Sequence, residues 1–297
     1  MRCWFFWELL ALVEGEKSDN MKIIYFGIDV YLSCFEWLLQ SEHEVIALYT
    51  YHEPKEYIRD EKICALAKKH NIPIHHDRIS YDEVENLFKN KQCDLLLSAE
   101  YDAKIPVLNC VNFYGVNFHN SLLPEGKGYF PIEVRLFKGY VYGGITLHKL
   151  AERFDTGDII LQKKFAITPQ DNSYAIYQKC NILALKMLKE FLSDVPNYWK
   201  VAEKQLGKGS YWNKPSTADY TIEANMTVKE IVHIYRSFAK LTKVNYQGKV
   251  YKVEHVETTQ SHDWLPQGSQ LSNKRLLNFT ARDGRVMIYL QTDEKAL

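Results

Sequence analysis

From Met21 onward the chain breaks into short apolar runs separated by helix-spaced segments. Residues 22–28, KIIYFGI, form a continuous apolar run around Gly27, as a strand buried on both faces does. Residues 29–41 carry Leu, Phe and Trp at helical spacing, and 44–51, EVIALYTY, predict a second strand. A helix over 61–71, a short strand at 72–76, a helix over 81–91 and a strand at 93–100 continue the alternation. GVNFH, 115–119, adds another strand. Buried strands alternating with helices predict an α/β chain on a Rossmann-like, mostly parallel sheet. Pro131 and Gly139 bracket a further helix, because proline suits a helix's first turn and glycine the residue past its last. Two strands, 144–150 and 158–167, follow around the turn AERFDTG, then a long helix from about Ser173 to Ser193.

The pattern changes near residue 207. GKGSYWNKPSTADY, 207–220, is loop-rich and reads as a linker or a domain edge. A helix over 227–241 precedes two hairpins, 243–256 and 275–290, which turn at Gln247-Gly248 and Asp283-Gly284. The expected division is a catalytic α/β domain over 21–206 and a smaller α+β, mostly β, C-terminal module over 207–297. Residues 1–20 read as an extension outside the fold. Their apolar run is broken by Glu8 and is followed by EGEKSDN rather than a small-residue cleavage site.

Composition narrows the classes. With 297 residues, 46% of them hydrophobic, the chain has material for a sizeable core. The 37 Lys and Arg balance 37 Asp and Glu, which argues against a whole-chain electrostatic grip on nucleic acid. No apolar stretch is long enough to span a membrane. The six cysteines are scattered without a paired spacing, so they read as reduced thiols of a cytoplasmic protein and not as a metal site. Gly27 is alone in its strand-to-helix turn, which disfavours a nicotinamide cofactor.

The candidate chemistry lies in NFHNSLLPEGKG, residues 117–128. Residues two apart on a strand face the same way, so Asn117 and His119 stand together at the carboxyl end of a strand. Imidazole moves protons near neutral pH, and an amide N–H stabilises a developing oxyanion. RFDTGDII offers carboxylates to orient the imidazole, Asp155 in a tight turn between two strands and Asp158 just after it, although Thr-Gly-Asp also suits a simple turn.

NFHNSLLP, followed by ITLHKLAERFDTGDIILQ and preceded by SAEYDAKIP, resembles the N10-formyltetrahydrofolate-dependent formyltransferases. The resemblance covers residues 21–195 well and 207–257 loosely. It implies the formyltransferase fold and formyl transfer to an amine, with no metal. The family's catalytic Asn, His and Asp fall on Asn117, His119 and Asp155. Its folate-lining turn falls on Ser121, Leu122, Leu123 and Pro124. Tyr101 reads either as a flank of the folate or acceptor site or as a core aromatic. Asn120 departs from the family, in which many members carry Gly or Pro. The favoured acceptor is a nucleotide-linked amino sugar, because the chain is neutral overall and 207–220 is aromatic. Methionyl-tRNA is the alternative, and a non-catalytic folate- or nucleotide-binding relative the second. No nucleic-acid or membrane partner is favoured, and a homodimer is expected by analogy.

Overall fold

The computed structural model describes residues 20–51, 60–110, 113–258, 270–272 and 275–291. The expected N-terminal extension, apart from Asn20, lies outside them. Strand β1 (Lys22–Gly27) leads through a single 3-10 turn at Asp29–Tyr31 into helix α1 (Leu32–Leu38). The expected helix over 29–41 is therefore shorter and two-part. Next come β2 (Glu44–Tyr49), α2 (Glu61–Lys69), β3 (Ile74–His75), α3 (Tyr81–Lys89), β4 (Leu95–Ala99) and β5 (Tyr114–His119). Then follow β6 (Lys127–Gly128), α4 (Pro131–Phe137), β7 (Tyr142–Lys149), β8 (Ile159–Ala166), α5 (Ser173–Leu192) and α6 (Val195–Val201).

These elements build a seven-stranded sheet ordered β3-β2-β1-β4-β5-β7-β8. β1 to β5 pair in parallel, whereas β7 and β8 run antiparallel at one edge. The central strand β4 is buried along its whole length, and the edge strand β8 is mostly exposed or half-buried. That gradient follows from helices covering both faces of the middle strands. The apolar stripe of α5, with Ile176, Cys180, Ala184, Met187 and Phe191 buried at helical spacing, packs on one face. Asn172 starts this helix by accepting the Ala175 N–H at 2.9 Å. Gly27 has a packing role: a Cβ there would lie 2.4 Å from the Ala99 carbonyl oxygen, so only glycine lets the strand ends approach.

The C-terminal part holds β9 (Tyr211–Trp212), β10 (Thr221–Ile222), α7 (Val228–Phe238), β11 (Lys243–Tyr246), β12 (Lys249–Thr258), β13 (Gln270–Ser272), β14 (Leu276–Thr280) and β15 (Arg285–Leu290). Six of these strands form a second sheet, β10-β11-β12-β15-β14-β13, with its own core around Ile222, Ile231, Val244, Phe279 and Ile288. Both expected hairpins are present, Tyr246 pairing with Lys249 and Thr280 with Arg285. Helix α7 opens on a capping box between Thr227 and Glu230 and docks onto α4. There, His233 Nε2 lies 2.9 Å from the Phe137 carbonyl, and Arg236 Nη2 donates to the Thr168 carbonyl at 2.8 Å.

Cys34, Cys93 and Cys180 are buried free thiols. Among the described residues no helix is long and apolar enough to cross a membrane, and no cluster of three or more His, Cys, Asp and Glu is placed to hold a metal ion.

Candidate active site

Strand register assembles the site. β5 lies beside β4 in parallel and beside β7 antiparallel, which sets Asn117 opposite His148 and His119 opposite Thr146. Asn117 and His119 both line a cavity at the carboxyl ends of the parallel strands, together with His148, Asp155 and Tyr101. Asn117 Nδ2 lies 3.1 Å from His148 Nε2. His148 Nδ1 is 2.8 Å from the Lys149 carbonyl oxygen and donates to it, while Nε2 faces both Asn117 Nδ2 and Asp155 Oδ1, the latter at 3.7 Å. One of the two Asn117 N–H groups is turned to His148, and the other is left for the cavity.

His119 is buried between two acceptors. Its Nδ1 is 3.3 Å from Asp155 Oδ1, and its Nε2 is 2.7 Å from the Gly126 carbonyl oxygen. A neutral imidazole donates to one of them; an imidazolium donates to both. Burial holds the His119 pKa below the usual imidazole value, against the pull of Asp155 and the Gly126 carbonyl. A proton gained by this ring completes a hydrogen bond that the neutral ring leaves unmade.

Asp155 sits in the turn between β7 and β8 with φ 59°, a left-handed conformation that is unfavourable for a non-glycine residue. Several contacts hold it there. The Gly128 N–H donates to Oδ2 at 2.9 Å, and Gln205 Nε2 donates to the Asp155 and Gly157 carbonyls at 2.8 and 2.9 Å. A Cβ on Gly157 would lie 1.8 Å from the Lys149 carbonyl oxygen, so the turn closes only on glycine. Burial works to raise the Asp155 pKa, but the His119 and His148 rings and the Gly128 N–H override it and hold the carboxyl down at about 2. The site thus pairs a fixed carboxylate with an imidazole poised to take a proton, beside an amide donor. That set suits transfer of an acyl group to a nitrogen nucleophile.

Tyr101 lines the cavity, its ring 5.4 Å from Phe26. The turn Ser121–Pro124 is not brought to the cavity wall. It lies behind His119, with the Ser121 carbonyl accepting from Thr146 Oγ1 at 2.7 Å and the Leu123 carbonyl from Gln162 at 2.9 Å. Leu122 packs against Gly144 of β7. Asp158 pairs with Lys149 at 3.4 Å at the base of the turn. The 207–220 segment, expected as a linker or edge, supplies β9, which pairs in parallel with β6 and places Tyr211 on the cavity wall. Glu125–Phe130 is thereby tied down, with Ser210 Oγ accepting the Gly126 N–H at 2.9 Å.

Residues that sequence reasoning missed include His148, Gly126, Gln205 and Glu100. His148 had a signal: two residues from Thr146 on a predicted strand, it shares that residue's face. Gly126 and Gln205 act through backbone or turn contacts that leave no residue-type signal.

Residues 36–192, just over half of the chain, match a family model described as formyl transferase. The chain is 26% identical over 260 residues to methionyl-tRNA formyltransferase of Prochlorococcus marinus, covering 82% of this chain and 79% of that one. It is 28% identical over 227 residues to the same enzyme of Anaplasma marginale, covering 73% and 74%. Among solved structures, the N-formyltransferase from Helicobacter canadensis, in complex with folinic acid and dTDP-3-aminofucose, superposes with a TM-score of 0.61 at 18% identity, over 92% of this chain and 100% of that one. HypX from Aquifex aeolicus in complex with tetrahydrofolic acid gives 0.68 at 15% identity, over 93% of this chain and under half, 45%, of that longer one. At these identities the two structures share the fold. By the family match over the strands and turns that carry Asn117, His119 and Asp155, the chain belongs to the formyl transferase family.

Proposed function

We propose that this formyltransferase takes the formyl group of N10-formyltetrahydrofolate and delivers it to the primary amine of methionyl-tRNA. The observation that carries the chemistry is His119, held between Asp155 and the Gly126 carbonyl beside Asn117 in an open cavity. As the amine attacks the formyl carbon, the free N–H of Asn117 donates to the oxygen on which negative charge develops. His119 takes the proton that the new C–N bond makes acidic, and returns it to N10 as the C–N10 bond breaks. Asp155 holds the ring and offsets the charge of the imidazolium. The cavity fits a flat, ring-bearing donor. Tyr129, Phe154 and Tyr211 are about half exposed on its wall, and Tyr51 and Tyr101 face each other at 6.1 Å. Ser121 to Pro124 then act on the donor side by backing His119. The buried free thiols fit a cytoplasmic setting.

The acceptor order reverses the one expected from the sequence. Net charge describes the whole chain, but residues 200–297 carry 15 Lys and Arg against 10 Asp and Glu. The relatives named for methionyl-tRNA match over most of the chain. A nucleotide-linked amino sugar is the second reading, supported by the Helicobacter canadensis enzyme's fold and by the aromatic cavity wall. The test is parallel turnover with N10-formyltetrahydrofolate and either methionyl-tRNA or dTDP-, UDP- and GDP-linked amino sugars, read by mass spectrometry. The expected result is a kcat/KM at least about tenfold higher for the tRNA, since a tenfold preference corresponds to only about 1.4 kcal/mol. Preference for one sugar nucleotide would establish the second reading.

A further inference from the structure

Glu100 follows the last residue of β4 and faces the same cavity as His119. β4 and β5 run in register, Ala99 beside Phe118, so the next residues along the two strand ends are Glu100 and His119. Glu100 is held there at φ 67°, again left-handed for a non-glycine residue. Asn120 Nδ2 donates to Glu100 Oε2 at 2.9 Å, and the Tyr31 hydroxyl donates to Asn120 Oδ1, so the amide is fixed at both ends. The Tyr51 hydroxyl donates to the Glu100 carbonyl at 3.4 Å. A carboxyl so clamped on a cavity wall, across strand ends from the proposed base, is a strained and specific arrangement. The formyl-transfer reading leaves it without a role.

We propose that Glu100 seats the acceptor's ammonium beside His119 and takes the first of the two protons that the amine must lose. The inference rests on the formyl-transfer reading. An amine enters as R–NH3+ and leaves as R–NH–CHO. Its first proton passes to the Glu100 carboxylate, which frees the lone pair that forms the new C–N bond. The second passes through His119 to N10 as the C–N10 bond breaks. Glu100 then returns its proton to water, and no other reactant is needed.

The surroundings agree. Burial raises the Glu100 carboxyl to about 7, Asp155 and Asp102 add to the rise, and the Asn120 N–H opposes it. Glu133 from α4, Tyr31, and Tyr177 and Cys180 from α5 also feel its charge. None of these groups is a cation, whereas Lys104 and Arg153 stand on the exposed rim. An ammonium entering the cavity supplies the counter-charge that Glu100 lacks. A group that titrates near neutrality both accepts and gives up a proton readily there.

The test is the pH dependence of kcat/KM for the acceptor, with methionyl-tRNA and a dTDP-linked amino sugar as probes, in the wild type, Glu100→Gln and Asn120→Ala. The wild-type profile is expected to bend near pH 7. Glu100→Gln is expected to match the wild type well below that bend, where Glu100 is already protonated, to lose roughly 10- to 100-fold above it, mostly through KM, and to recover as the pH approaches the amine's own pKa. Asn120→Ala removes a hydrogen bond that favours the carboxylate, so its bend is expected at higher pH. A Glu100→Gln loss that is equal at every pH, or absent, overturns the proposal while leaving formyl transfer standing. A wild type that formylates neither probe removes the formyl-transfer reading and the proposal with it.

Discussion

The His119 ring, with an acceptor on each nitrogen, governs what removing either one does. Asp155→Asn keeps the size of the side chain but takes away the charge that favours an imidazolium. Its kcat is expected to fall roughly 100- to 10,000-fold. By nuclear magnetic resonance titration, the His119 ring is expected to ionise below 6.5 in the wild type and lower still in the variant. A ring titrating at higher pH in the variant would contradict the assignment. Asn117→Ala removes the proposed oxyanion donor and is expected to lower kcat roughly 100- to 1,000-fold with donor binding kept. Asn117 and His119 stood out in the sequence because strand period sets them on one face, whereas Asp155 was singled out by the resemblance of its turn motif to the family's. Glu100 and Gly126 were not, because their contacts depend on where distant segments are brought together and on a carbonyl oxygen, which every residue has.

At the scale of elements, the turn between β7 and β8 and the segment after α6 work as one clamp on Asp155. Gly157→Ala forces a Cβ into the Lys149 carbonyl and is expected to cost roughly 2 kcal/mol or more, seen in a melting curve, with activity lost as Asp155 shifts. Gln205→Ala removes two half-buried hydrogen bonds to the turn. Its expected signature is milder: a melting temperature lowered by the loss of roughly 1 to 3 kcal/mol and a kcat lowered about tenfold, the effect of slightly misplaced catalytic geometry. The long periodic elements were readable from hydrophobic pattern, β1, β4, β5 and α5 above all. The pairing of β6 with β9 was not, because two-residue strands have no period to detect. That pairing nonetheless ties a loop of the site to chain expected to be a linker or edge.

For the whole molecule, buried carboxyls set the pH dependence of stability. Burial raises Glu133 and Glu100 from 4.5 to about 7. Both bind protons more tightly when folded, so their contribution falls as pH rises from 4.5 through about 7. Asp155, held at about 2 instead of 3.8, contributes in the opposite sense: its stabilisation is present above 3.8 and is lost as pH falls through about 2. Among the described residues Glu133 Oε2 has no hydrogen-bond partner. Glu133→Gln is therefore expected to raise the calorimetric melting temperature at about pH 8, by a stabilisation of at most roughly 3 kcal/mol, and to change little near pH 4.5. The overall architecture, a mostly parallel sheet followed by a sheet-rich C-terminal part, was legible because buried and half-buried strands leave different patterns. The choice of acceptor rests on the relatives instead, since whole-chain charge averages over the basic residues 200–297. The central claim is that Asn117, His119 and Asp155 transfer a formyl group from N10-formyltetrahydrofolate, and single-turnover transfer at saturating donor tests it most directly. The expected result is rapid transfer by the wild type and a loss of roughly 100-fold or more in His119→Ala that still binds 5-formyltetrahydrofolate; transfer by His119→Ala at the wild-type rate would contradict it.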